Sequence, residues 1–260
     1  PEADANGDPM VITRYLYKPT ASEGGTRAND NRRLHIFIAD VASRQVTQLT
    51  DGDYYEHSID WSPKGDEILF ISNRGPDPDR FFNYDIFAIN VVSRNARRLS
   101  DTKGAEYYPR WSPDGRMVAF SGTTRPLTSS ETTMEDTHVW VMNADGSGRR
   151  EVGTVDNRQG APEWSHDGRH LYVTLQERGE VRLIRLPQEG GAPERLVTDR
   201  GSVGQWALSH DGTLIYAFTT PSRPAELYVR PAAGQARAVT TLNQQALSGR
   251  TIADVEAVTF

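Results

Sequence analysis

The sequence predicts an all-β fold, a β-propeller of four-stranded antiparallel blades, and three observations predict it. One five-residue motif occurs four times, as Trp61-Ser62-Pro63-Lys64-Gly65, Trp111-Ser112-Pro113-Asp114-Gly115, Trp164-Ser165-His166-Asp167-Gly168 and Leu208-Ser209-His210-Asp211-Gly212. The copies start 50, 53 and 44 residues apart, a period that suits a propeller blade better than a helical solenoid. Short apolar runs bounded by turn residues surround each copy, and the middle of the chain sustains no i, i+3, i+4, i+7 helical spacing.

Within a repeat the motif closes strand one. Pro or His, then Asp and Gly, makes a tight turn: Pro presets φ, the Asp side chain caps the turn, and Gly accepts positive φ. The Trp is an apolar plate able to wedge between neighbouring blades. Strand two follows as Ile68–Ile71, Met117–Phe120, Leu171–Thr174 and Leu214–Phe218. After a variable polar stretch comes strand three, as Asp85–Ile89, His138–Met142, Val181–Ile184 and Glu226–Val229. A Gly-, Ser-, Ala- or Asn-rich turn leads to strand four, which ends near Leu99, Val152, Leu196 and Val239. These runs are β-branched or aromatic, as strands prefer.

Four blades thus span 57–100, 107–153, 160–198 and 204–241. At the start, Val11–Tyr17, Leu34–Val41 and Gln45–Thr50 match strands two, three and four of a further blade over about 10–50; at the end, 252–260 is a strand-like orphan. The expectation is a single domain over 1–260, with the last strand entering the first blade as its innermost strand. That closes a five-blade ring and removes exposed sheet edges. The competing reading is an arc of a larger propeller.

Composition narrows the function. The 260 residues suit one large β domain. A net charge of −6 is the wrong sign for a nucleic-acid partner. No apolar run approaches the roughly 18 residues of a membrane span, so no membrane partner is expected. With no Cys there is no disulfide framework, thiolate zinc site or cysteine nucleophile. No signal peptide opens the chain, and cytoplasm and periplasm both stay open. Because Pro1 begins the sequence without an initiator Met, a cut precursor or longer parent is expected.

No catalytic residue can be assigned. No Ser has Gly at both −2 and +2, so the Gly-x-Ser-x-Gly elbow is missing. The six His residues are scattered, and His166 and His210 read as turn residues because they replace Pro63 and Pro113. No metal motif occurs, Asp77-Pro78-Asp79 and Asp51-Gly52-Asp53 read as solvated loop acids, and no cofactor is expected.

The binding candidates lie on innermost strands and long loops. Asp60, Arg110 and Glu163 hold one equivalent position beside the repeat Trp, and Gln205 lies in the matching stretch of the fourth blade. Mutual salt bridging is one account of the three charges, and a polar lining that meets a ligand or partner is the other. The loop 73–84 carries Arg80, Phe81, Phe82 and Tyr84, a cluster of the kind interfaces use, with packing against its own blade as the alternative. The loops 122–137 and 18–33 are also long for hairpins.

These repeats resemble those shared by TolB and the propellers of prolyl oligopeptidase-family serine peptidases, over roughly residues 10–260. Val11–Lys18, Arg33–Ile38 and Gln48–Gly52 are similar to mid-propeller segments of bacterial acylaminoacyl peptidases, and 242–260 resembles the exit toward an α/β-hydrolase domain. The resemblance implies a non-catalytic propeller segment of such an acylaminoacyl- or dipeptidyl-peptidase-like enzyme. It would cap the hydrolase domain of the same parent chain and gate or bind peptide substrates. The family's Ser, Asp and His lie in that domain and map to no residue here, so this chain alone would hydrolyse nothing. The alternative is a free-standing TolB-like module that binds a protein or peptide. A propeller enzyme such as a sugar lyase is a distant third, because no funnel set of His and Arg is evident.

Overall fold

The computed structural model describes residues 33–76, 78, 81–127, 136–153, 155–253, 255–256 and 258. Val11–Tyr17 and Arg80 lie outside them. The fold is nearly all β, a propeller architecture of antiparallel blades.

Strands β1 (Phe37–Ala39) and β2 (Val46–Gln48) form a two-stranded sheet. Next comes a four-stranded meander: β3 (Glu56–Trp61), β4 (Glu67–Ser72), β5 (Asp85–Asn90) and β6 (Ala96–Arg98). The second is β7 (Glu106–Trp111), β8 (Met117–Thr123), β9 (Thr137–Asn143) and β10 (Arg150–Glu151). The third is β11 (Glu163–Trp164), β12 (His170–Glu177), β13 (Glu180–Pro187) and β14 (Glu194–Arg195). The fourth is β15 (Ser202–Leu208), β16 (Leu214–Thr220), β17 (Arg223–Arg230) and β18 (Arg237–Ala238). The last two meanders share one sheet through a single parallel pair, Val181 with Ser202. These four meanders are called blades one to four below. A short helix, α1 (Gln244–Leu247), follows the last strand.

The strand expected over 252–260 does not form among its described residues, where Ile252, Val255 and Val258 are exposed. A strand exists only against a partner's unpaired backbone, and the partner expected for it, Val11–Tyr17, is outside the described residues.

The repeat turns work as their residues dictate. In blade two the Ser112 hydroxyl donates to Asp114 at 2.6 Å, and Asp114 accepts the Arg116 amide at 3.0 Å. The Met117 amide donates to the same Ser hydroxyl at 2.9 Å. Ser165 with Asp167 and Ser209 with Asp211 repeat the hydroxyl-to-carboxylate bond. In blade one Lys64 stands where the acid should be, and Asp66 takes over, accepting from Ser62 at 2.8 Å. Gly65, Gly115, Gly168 and Gly212 all have φ between 70° and 80°, the left-handed region that glycine adopts without strain.

Four apolar layers separate the two-stranded sheet and the four blades in turn. Ile36 and Leu49 pack on Ile68, Phe70, Phe87 and Ile89. Leu69, Ile71, Ile86 and Leu99 of blade one meet Trp111, Val118, Phe120 and Met142 of blade two. Ala119, Val139, Val141 and Val152 meet Leu171, Val173 and Leu175. Tyr172, Leu183, Leu196 and Val197 meet Val203, Leu214, Tyr216 and Phe218. Each fully buried large side chain contributes about 1.5–3 kcal/mol. Trp111 is the wedge the motif predicts, buried in the second layer. Trp61 stays 48% exposed, and the sheet before it has only two described strands.

Candidate functional site

The innermost strands β3, β7, β11 and β15 carry the candidate residues. Asp60 pairs in register with Leu69, Arg110 with Ala119 and Glu163 with Tyr172, so the three charges do occupy one repeated position. They are joined from blade to blade. The Asp60 carboxylate accepts the Trp111 backbone amide at 2.8 Å. Arg110 Nε donates to Glu163 at 3.2 Å, and Trp164 Nε1 donates to the Arg110 carbonyl at 3.1 Å. Burial pushes the Asp60 carboxyl up; the Trp111 amide and Arg110 oppose the rise, and the nearby Glu163 adds to it. Arg110 and Glu163 remain partly exposed, so their ion pair is worth little as a stabiliser. The matching residue of blade four is Ala207, and the charged series ends there.

Three of these inner strands, β3, β7 and β15, also bulge. The register slips by one residue between His57 and Asp60, Tyr107 and Arg110, and Val203 and Trp206. Ser58 (φ 54°) and Tyr108 (φ 52°) hold left-handed backbone, a strained state for a bulky side chain. Bulges re-aim side chains beside sites. Gln205 sits in the blade-four bulge and is exposed. It is three residues from Leu208 where Asp60 is one from Trp61, so it does not share the position of the three charges.

Two surfaces flank this charged series along the inner strands. At the turn end, a cleft of about 450 Å³ is lined by Glu163, Trp164, Trp206, Pro113, His166 and His210, among others. The His166 and His210 rings touch, with centroids 3.4 Å apart. At the other end, Phe82 stacks on Tyr84 (6.3 Å), Tyr84 meets the edge of His57 (5.0 Å) and Tyr107 (6.0 Å), and Tyr107 meets Tyr108 (6.3 Å). Burial lowers the pKa of His57 and favours its neutral ring. Asn73 ties down the loop that carries Phe82, donating to the Pro78 carbonyl at 3.1 Å and to the Phe81 carbonyl. Phe82 and Tyr84 therefore join inner-strand aromatics, while Phe81 is 39% exposed. Arg80 belongs to the undescribed residues.

Trp164, Trp206, His166, His210, His57 and Tyr107 join these two surfaces although the sequence does not single them out as site residues. A signal was present for the two histidines: one turn position in successive blades places two side chains side by side. Among the described residues, no group of three or more His, Asp or Glu could hold a metal ion.

No family model matches the sequence, and no curated protein matches it. Solved structures do. TolB from Acinetobacter baumannii superposes with a TM-score of 0.60 at 16% identity, over 78% of this chain and 48% of TolB. Dipeptidyl peptidase 4 from Porphyromonas gingivalis gives 0.58 at 12% identity, over 82% of this chain and 37% of the peptidase. A puromycin-hydrolyzing peptidase from Mycobacterium tuberculosis gives 0.56 at 16% identity, over 79% and 40%. The chain spans less than half the length of each of these proteins. What it shares with them is the propeller fold.

Proposed function

We propose that this chain is a non-catalytic propeller segment of a serine peptidase of the prolyl oligopeptidase kind. In this role it covers an α/β-hydrolase domain of the same parent chain and contacts peptide substrates through its inner strands. The observation that carries the reading is the inner-strand surface: an Asp60–Arg110–Glu163 series with aromatic side chains at both ends. Such a surface offers a peptide carboxylate and amide partners for its polar groups and flat rings for its side chains. Likeness to two peptidases that are much longer than the matched region supports the same reading.

The chain alone is expected to leave an acyl-amino-acid nitroanilide unhydrolysed. Turnover that a serine-reactive phosphonate abolishes overturns the proposal. In the longer protein, Glu163→Gln together with Tyr107→Ala should raise KM and leave kcat nearly unchanged, the signature of lost uniform binding. The likeness to TolB favours a second reading, a stand-alone peptide- or protein-binding module. A natural reading frame that carries this fold and no hydrolase domain selects it.

A further inference from the structure

Three side chains recur at fixed places on the face that each blade turns toward its successor. In blade one they are Leu69, Ile86 and Leu99; in blade two Ala119, Val139 and Val152; in blade three Tyr172, Leu183 and Leu196. Their equivalence is fixed by bonding. The amides of Leu99, Val152 and Leu196 donate to the carbonyls of Ile86, Val139 and Leu183, at 2.7, 2.8 and 2.9 Å. None of the nine is more than 7% exposed, because the next blade covers them.

Blade four has the same three places. Its Val239 amide donates to the Leu227 carbonyl at 2.8 Å, and Ile215 pairs with Val229 as Leu69 pairs with Ala88. The side chains are again apolar, yet Ile215 is 42%, Leu227 39% and Val239 42% exposed. A face built like three buried ones is left open. The opposite end of the array matches. Phe37 is 53% exposed, whereas Phe87, at the corresponding place one blade later, is 5% exposed under Ile36 and Leu49.

We propose that the Ile215–Leu227–Val239 face docks a further blade of this same repeat, supplied by the parent polypeptide outside these 260 residues. The junctions already on hand define what that blade presents: aliphatic and aromatic side chains on its second and third strands, in the places of Val118, Phe120 and Met142. The inference rests on reading the chain as part of a larger propeller, and it names the surface at which the ring continues.

The chain has no Cys, so a single introduced thiol reports on this face. Leu227→Cys and its buried counterpart Val139→Cys are compared, in the 260-residue chain and in the protein translated from the complete natural reading frame. In the short chain, Leu227→Cys should react with a maleimide on the order of 100-fold faster than Val139→Cys, which reacts only through local opening. In the complete protein, monomeric by light scattering, Leu227→Cys should slow to the Val139→Cys rate. Ile215→Asp should lower the Tm of the complete protein and leave that of the short chain unchanged.

Protection of Leu227→Cys in the monomeric short chain overturns the proposal, because the face is then covered from within. Protection that appears only with concentration, alongside dimers, assigns the face to a second copy and overturns it too. So does a thiol that stays reactive in the complete protein, or a reading frame with no further repeat. A frame with more blades but no hydrolase domain leaves this inference standing and removes the peptidase reading alone.

Discussion

Asp60 on β3 and Trp111 on β7 are joined by one hydrogen bond, from the Trp111 amide to the Asp60 carboxylate at 2.8 Å. It ties the end of one innermost strand to the end of the next. β7 is the edge strand of its own sheet, and the carboxylate gives this amide an acceptor that no further strand of that sheet supplies.

Replacing Asp60 therefore tests the inner wall. Asp60→Ala leaves a half-buried N–H without this acceptor and should cost about 0.5–1.5 kcal/mol of unfolding free energy. Asp60→Asn keeps an acceptor oxygen and should cost less. Urea unfolding followed by Trp fluorescence separates them; equal losses would mean that the charge and not the acceptor matters.

A second prediction concerns pH. Asp85 and Glu106 both lie near the Ser100 hydroxyl, at 3.3 and 3.0 Å. Burial, the largest influence on each, raises both carboxyls; Arg98 opposes it at Asp85, and Thr102 and Arg149 oppose it at Glu106, while Asp85 adds to the rise there. A carboxyl raised in the folded state stabilises while protonated, and that contribution is lost as pH climbs through the raised value. As pH rises from the ordinary glutamate range, Glu106→Gln should lose less stability than the parent chain. Parallel urea-midpoint curves for the two would count against it.

Glu226 has the opposite sign. Thr240 donates to its carboxylate at 2.5 Å, and the Asn243 and Leu242 amides donate at 2.9 and 3.0 Å. These bonds, that of Thr240 foremost, hold its pKa down to about 2. The stability they give is present above the ordinary glutamate range and vanishes as pH falls through about 2. Glu226→Gln should be destabilising near neutrality, with the difference shrinking steadily in acid.

The swapped acid of the first turn gives a fourth test. Asp66→Ala should destabilise by about 0.5–2 kcal/mol, as loss of a side-chain cap does. Arg116→Ala, at the same place in blade two, should fall within about 0.5 kcal/mol. In blade two the sensitive residue is Asp114. If Asp66 and Arg116 respond alike to chemical denaturation, the compensation is wrong.

Much of this fold could be read from residues. The Ser–Asp–Gly turns and the runs Ile68–Ile71 and Met117–Phe120 specify strands through local chemistry and burial, and they form. The repeat spacing also placed Asp60, Arg110 and Glu163 in register. What each one bonds could not be read. Asp60 meets a backbone amide and not the Arg110 side chain as its hydrogen-bond donor, because the bulge after His57 sets where the carboxylate points. The contact of His166 with His210, and that of Tyr84 with His57, depend on how blades stack, which no local pattern encodes. The run 252–260 has strand composition, but its pairing depends on residues far along the chain.

Blades three and four differ from the others in sharing a sheet through Val181 and Ser202. Elsewhere, among the described residues, no sheet spans a blade boundary, and single backbone bonds cross it instead, from the Glu106 amide to the Tyr84 carbonyl at 2.9 Å and from the Gln159 amide to the Thr137 carbonyl at 2.7 Å. Under mechanical load, with the chain pulled from its ends, rupture should begin at the boundaries that no shared sheet crosses. Blades one and two should peel away singly, and the final pair should give way in one larger extension step.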